Sequence, residues 1–173
     1  TTAAKRDALD PATLETAVRT MATLNRGAAE AMRAVGTGPE GAVHAATDVT
    51  GFGLLGHLSH WIRHRTDITI RLDCAGIPLL PRARELAEAG YTTGGGGANE
   101  RYLEEFVAFA PDVPADLRDV LLDPQTSGGL CIAVAPDALN NLTAALEERG
   151  VATRAVIGRV TGRGAGEAAI TVA

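Results

Sequence analysis

The chain is predicted to be an α/β (α+β) sandwich, a mixed β-sheet flanked by helices, on three observations. Apolar stripes at helical spacing interleave with short apolar or strictly alternating runs along the whole sequence. Glycine or proline marks nearly every junction between them. The length of 173 residues, 46% hydrophobic and 21% charged, suits one soluble domain with a sizeable core.

The first helix is announced by Asp10-Pro11, an N-cap acid followed by proline at the first helical position. Leu14, Val18, Met21, Leu24, Ala28, Met32 and Val35 then recur on one stripe up to Gly36. That spacing predicts a single helix of about seven turns, with Gly27 as a close-packing site. AVHAATDV reads as a strand ending at Asp48, and residues 54 to 65 as a helix with one apolar face. DITIRLD alternates strictly, with Ile68, Ile70 and Leu72 inward and Thr69, Arg71 and Asp73 outward. PRARELAEAG predicts a short helix stopped by Gly90, TTGGGGANE a mobile loop, and ERYLEEFVAFA a helix broken by PDVPADL. LCIAVA reads as a buried strand and PDALNNLTAALEERG as a helix with Leu139, Leu142 and Leu146 inward. TRAVIGRV and EAAITV close the fold as strands across the turn TGRGAG.

Bulk properties exclude several functions. No apolar run approaches a membrane span, and no signal peptide opens the chain. A net charge of -5 and 3% aromatic residues leave neither the basic footprint nor the stacking groups of a nucleic-acid binder. Cys74 and Cys131 lie far apart without metal spacing, which predicts buried thiols in a reducing cytoplasm.

The motif with chemical content is TDVTGFGLLGH. GFGLLG has the G-x-G-x-x-G spacing of a dinucleotide-binding turn, follows a strand, opens a helix, and precedes an acid, Asp73, at the end of the next strand. Against a dinucleotide, Asp48 on the same turn repels a pyrophosphate unless a cation intervenes, and the preceding strand is polar. Mg²⁺ resolves that repulsion, because it takes carboxylate and phosphate oxygens together. On that reading Asp48 holds Mg²⁺ while the turn from Thr50 through Gly51 to Gly53 approaches the phosphates. The simpler alternative is that Asp48 or Thr50 caps the next helix and the glycines serve packing.

Other candidates favour structural roles. His57, His60 and His64 fall at helical spacing opposite Leu54, Leu55, Leu58, Trp61 and Ile62, on what reads as a solvated face rather than a zinc site. Ser127 in QTSGG lacks a nucleophile-elbow context and reads as a turn residue. Gly94 to Gly97 lacks the ending of a P-loop. Arg82, Arg84, Glu85 and Glu88 read as a salt-bridged surface.

ATDVTGFGLLGHL (46 to 58), LLDPQTSGGLCIAV (121 to 134) and TMATLNRGAAEAM (20 to 32) together resemble the selenide, water dikinases, or selenophosphate synthetases. These belong to the superfamily of aminoimidazole ribonucleotide synthetases. The resemblance covers nearly the whole chain and implies a C-terminal domain, with residues 1–10 as linker from an N-terminal ATP-binding domain and 11–173 as the domain itself. It implies a dimeric, cytoplasmic enzyme that converts selenide, ATP and water into selenophosphate, AMP and orthophosphate with Mg²⁺. It also implies that Asp48 is the metal-binding acid of this half, with Thr47, Thr50, Gly51 and Gly53 near the ATP phosphates, whereas the Cys or selenocysteine nucleophile and most of the ATP site lie in the other half. The fragment alone is then inactive. Two departures stand out: GGGGANERY replaces the family's shorter glycine run, so no role carries to Asn99, and Cys131 stands where an aliphatic residue is usual. Cys131 reads as core rather than as the nucleophile.

Overall fold

A computed structural model describes residues 1–173. The α/β class holds, but the strands divide between two sheets. Strands β1 (Val43–Asp48) and β4 (Leu130–Val134) form an antiparallel pair. Strands β2 (Ile68–Leu72), β3 (Val107–Phe109), β5 (Gly158–Gly162) and β6 (Ile170–Val172) form a mixed sheet in the order β3-β6-β2-β5. Seven α-helices surround them: α1 (Pro11–Ala22), α2 (Arg26–Val35), α3 (Gly53–Ile62), α4 (Ala83–Glu88), α5 (Gly94–Leu103), α6 (Ala115–Leu122) and α7 (Leu139–Glu148).

The single seven-turn helix is in fact two, α1 and α2, separated at Thr23 to Asn25. Thr23 is extended (φ -77°, ψ 124°), and the Asn25 amide donates to the Gly128 carbonyl at 2.9 Å. That distant bond turns the chain where helical periodicity would have run on, and it leaves Leu24 80% exposed. The N-terminal signal itself holds, since Asp10 accepts from the Thr13 amide with Pro11 in the first turn.

The expected glycine loop also changes character. Gly94 to Gly97 is the first turn of α5, and Thr93 caps it by accepting from the Gly96 amide at 3.1 Å. Glycine is needed there for proximity: a Cβ on Gly95 would lie 2.5 Å from Pro124 Cγ. The helix stops at Leu103, and Val107–Phe109 becomes β3, beside β6. The two closing strands do not pair with each other, because β2 lies between them, antiparallel to β5 and parallel to β6. Thr69, expected outward, is fully buried because its hydroxyl donates to the Ala168 and Ala169 carbonyls.

Helix α3 connects the two sheets. Its Leu55, Leu58 and Ile62 join Ile70, Leu72, Leu103, Leu121, Ile170 and others in the larger apolar core. A second, smaller core gathers Ala28 and Ala31 of α2 with Leu142, Ala145 and Leu146 of α7. Strand β4 separates the two: Leu130, Ile132 and Val134 pack on the small core, and Cys131 on the large one. β4 is nonetheless half-buried along its length rather than fully buried as its apolar run predicts, because its sheet has only two strands and leaves β4 an edge. Gly27 does serve close packing, since a Cβ there would meet the Arg149 carbonyl at 3.1 Å.

Candidate functional site

The two motifs quoted above meet at the end of β1. Val49 donates to the Gly129 carbonyl and Gly128 donates back to the Val49 carbonyl, both at 3.0 Å. The Gln125 amide donates to the Thr50 carbonyl at 3.0 Å. Gly128 approaches so closely that a Cβ would stand 2.3 Å from the Val49 oxygen. Gly128 of DPQTSGG is thus required by TDVTG, some eighty residues away. Ser127 sits in this turn with φ 54°, and the turn role expected of it fits a left-handed residue flanked by glycine.

Gly53 opens α3 at φ +66°, and a Cβ there would lie 2.8 Å from the Leu122 carbonyl. Gly51 has open space around its missing Cβ and is exposed. Between them, Asn99 is 8% exposed and its amide donates to the Gly51 carbonyl at 3.2 Å and to the Leu122 carbonyl at 2.8 Å. Sequence reasoning assigned Asn99 nothing, and nothing in a single sequence marks a residue that braces a turn 48 positions away.

The dinucleotide reading fails on topology. A dinucleotide fold needs its first two strands parallel in one sheet, whereas β1 and β2 belong to different sheets. Asp73, the supposed ribose acid, instead caps a 3₁₀ turn by accepting from the Ala75 amide at 3.0 Å.

Asp48, at the last position of β1, is exposed; it makes no ion pair and its carboxylate accepts no hydrogen bond. It caps no helix, and α3 begins without any side-chain cap. Thr47 and Thr50 are half-buried, and both hydroxyls turn to His57: Thr47 Oγ1 lies 3.4 Å from Nδ1 and Thr50 Oγ1 3.0 Å from Nε2. This corrects the solvated histidine face, because His57 is only 8% exposed while His60 and His64 are exposed. The ring sits one turn along α3, under β1, where the helical stripe widens beyond its leucines. With both nitrogens engaged by threonines, His57 makes no zinc pair with His60. Burial and the neighbouring His60 lower its pKa from the ordinary histidine value, and Asp48 opposes them.

No three His, Cys, Asp or Glu side chains converge to hold a metal anywhere in the structure. Cys131 pairs with Thr47 across the β1–β4 ladder, and burial pushes its thiol up to about 11. Burial of this kind keeps the thiol protonated at neutral pH. Both cysteines are half-buried and unpaired. No helix is long and apolar enough to cross a membrane.

The family model described as AIR synthase related protein, C-terminal domain, matches residues 1–171. The chain belongs to this family. Among curated relatives of this AIR synthase related domain, the selenide, water dikinase of Pelobacter propionicus is 42% identical over 146 residues, 84% of this chain and 40% of that protein. That of Paraburkholderia xenovorans is 40% identical over 163 residues, 94% of this chain and 44% of the relative. That of Escherichia coli strain K12 is 38% identical over 164 residues, 95% and 44% respectively. The AIR synthase related domain therefore spans less than half the length of the relatives it matches.

Proposed function

We propose that this domain is the C-terminal part of a selenide, water dikinase, and that it completes a Mg-ATP site whose other half precedes it. The observation that carries the reading is the bare Asp48 carboxylate at the junction of the two motifs. On that turn the Thr47 and Thr50 hydroxyls, the Thr50 and Gly51 carbonyls and the Val49 backbone have partners inside the domain, whereas the Asp48 carboxylate has none. The donor set fits Mg²⁺ in a limited sense: one hard oxygen ligand, with the remainder of the shell from phosphates, waters or another domain. When bound, Mg²⁺ would offset phosphate charge during transfer of a phosphoryl group. Asp48 would hold it, the open backbone at Gly51 would lie nearest the ATP phosphates, and the uncapped start of α3 would turn its partial positive charge toward them. The reaction is selenide, ATP and water to selenophosphate, AMP and orthophosphate, in a cytoplasmic homodimer.

The test is Asp48→Asn in the full-length enzyme. We expect loss of Mg²⁺-dependent AMP formation from ATP and selenide with an unchanged melting temperature. Wild-type turnover by that variant, or turnover by the 173-residue chain alone, would overturn the reading.

A second reading, a non-catalytic docking or dimerisation module, has one observation in its favour. Helix α1 buries no residue and leaves Leu14 39% and Val18 51% exposed on its apolar stripe. On this reading the Asp48→Asn enzyme keeps its turnover, while Leu14→Glu with Val18→Glu disrupts assembly.

A further inference from the structure

We propose that His57 is a positioning residue for the Asp48 turn, clipping together the two threonines that flank Asp48 through a neutral ring protonated on Nδ1. The proposal rests on reading Asp48 as a site residue, and concerns how the domain keeps that carboxylate aimed.

A buried histidine is commonly a satisfied core residue, so its partners decide the matter. Both ring nitrogens reach the same turn and neither reaches the core: Nδ1 faces Thr47, one residue before Asp48, and Nε2 faces Thr50, two residues after it. The ring is fixed in depth by Phe52 and His60, with centroids 5.6 and 5.9 Å away. The backbone of the turn is held separately by Gly129, Gln125 and Asn99. His57 therefore adds what the backbone bonds cannot, a constraint on the side chains either side of Asp48.

The proton order follows from the donors available. A neutral imidazole has one N–H and one bare nitrogen. The Thr47 hydroxyl donates to the Asp48 carbonyl at 3.3 Å, so its oxygen is left to accept from Nδ1–H. The Thr50 hydroxyl has no other acceptor and donates to bare Nε2. In this arrangement each contact has one donor and one acceptor. A leucine at position 57 fills similar volume but releases both threonines.

Two readouts test this. In the metal-free 173-residue chain, ¹⁵N NMR of the imidazole should show Nδ1 protonated and Nε2 bare, and the χ1 couplings of Thr47 and Thr50 should report single rotamers. His57→Leu should average those rotamers. Thr50→Val, a near-isosteric change that keeps the fold if His57→Leu does not, should leave the ring in a mixture of tautomers. In the full-length enzyme, both variants should raise the apparent KM for Mg²⁺ about 10-fold, the scale typical of lost outer-shell support. The KM for selenide should not move, and His57→Gln should recover part of the loss. A ring protonated on Nε2, or threonine rotamers indifferent to His57→Leu, would overturn the proposal. Asp48→Asn, run in parallel, separates the failures. If it leaves the Mg²⁺ dependence intact, the site reading fails; if it alters that dependence and His57→Leu does not, only the positioning role fails.

Discussion

The two faces of the β1–β4 sheet are packed by different means. Toward α2 and α7 the contact is built from Ala28, Ala31 and Ala145 with only Leu142 and Leu146 as large members. Toward α3 and the four-stranded sheet it is built from thirteen buried residues, all leucine, isoleucine or valine except Ala169. Small residues let helices come close but remove little apolar surface from water, whereas the larger cluster supplies most of the hydrophobic driving force. The candidate site lies on the seam, since Asp48 ends a strand of the thin sheet while Gly53 and His57 begin a helix rooted in the large core. Holding such a turn takes bonds from both sides, which is what Asn25, Asn99, Gln125 and His57 provide.

Substitutions can break or sharpen this contrast. The largest effect is expected at Leu55, which is 0% exposed in the large core. Leu55→Ala should cost about 4 kcal/mol in urea unfolding, and a loss below about 1 kcal/mol would erase the distinction between the cores. Next comes Gly53→Ala, which combines a left-handed φ of +66° with a Cβ placed 2.8 Å from the Leu122 carbonyl. We expect about 3 kcal/mol, accompanied by faster exchange of the Gln125 amide on the seam. Leu142→Ala in the small core should cost about 2 kcal/mol, because α7 lies at the surface and can settle over the void. Hydrogen exchange should then rise in α7 and α2 and stay unchanged in α3; equal rises everywhere would mean that the domain has one core in energetic terms.

The smallest effect is a pH dependence. His57 has a folded pKa below its unfolded value, chiefly through burial, so the unfolded chain binds the extra proton first. Stability contributed by the neutral ring is therefore present above the unfolded value of about 6.5. It falls as pH drops below that value and levels off once the folded value has been passed. Melting curves between pH 7.5 and 5 should show this decline, and His57→Gln should flatten it. A wild-type curve that rises toward acid would contradict the buried, neutral ring.

Much of the fold was legible locally. The Asp10-Pro11 start, the strand ending at Asp48, the inward Ile70 and Leu72 of β2 and the helix stops at Gly90 and Gly150 depend on neighbours within a few residues, and each appears as expected. Asp48 also stands out locally, because a carboxylate ahead of a glycine turn is anomalous whatever the fold. Helix breaks and strand partners were not legible. Thr23 to Asn25 carries apolar periodicity that a helix would accept, and only the Asn25 bond to Gly128 turns it aside. Gly94 to Gly97 has the composition of a flexible linker, yet it forms the first turn of α5, capped by Thr93.

By itself, then, the sequence determined which segments are apolar on one face, where turns stop them, and which short motifs carry unusual chemistry. Those properties are encoded over one or two turns of chain, where spacing and side-chain type suffice. Only the tertiary structure decided that β2 separates the closing strands, that the two motifs share a backbone ladder, and that His57 faces Thr47 and Thr50 rather than solvent. These depend on which distant backbone donor or buried surface comes within 3 or so ångströms. A pattern of residue types does not specify that distance; packing of the whole chain does.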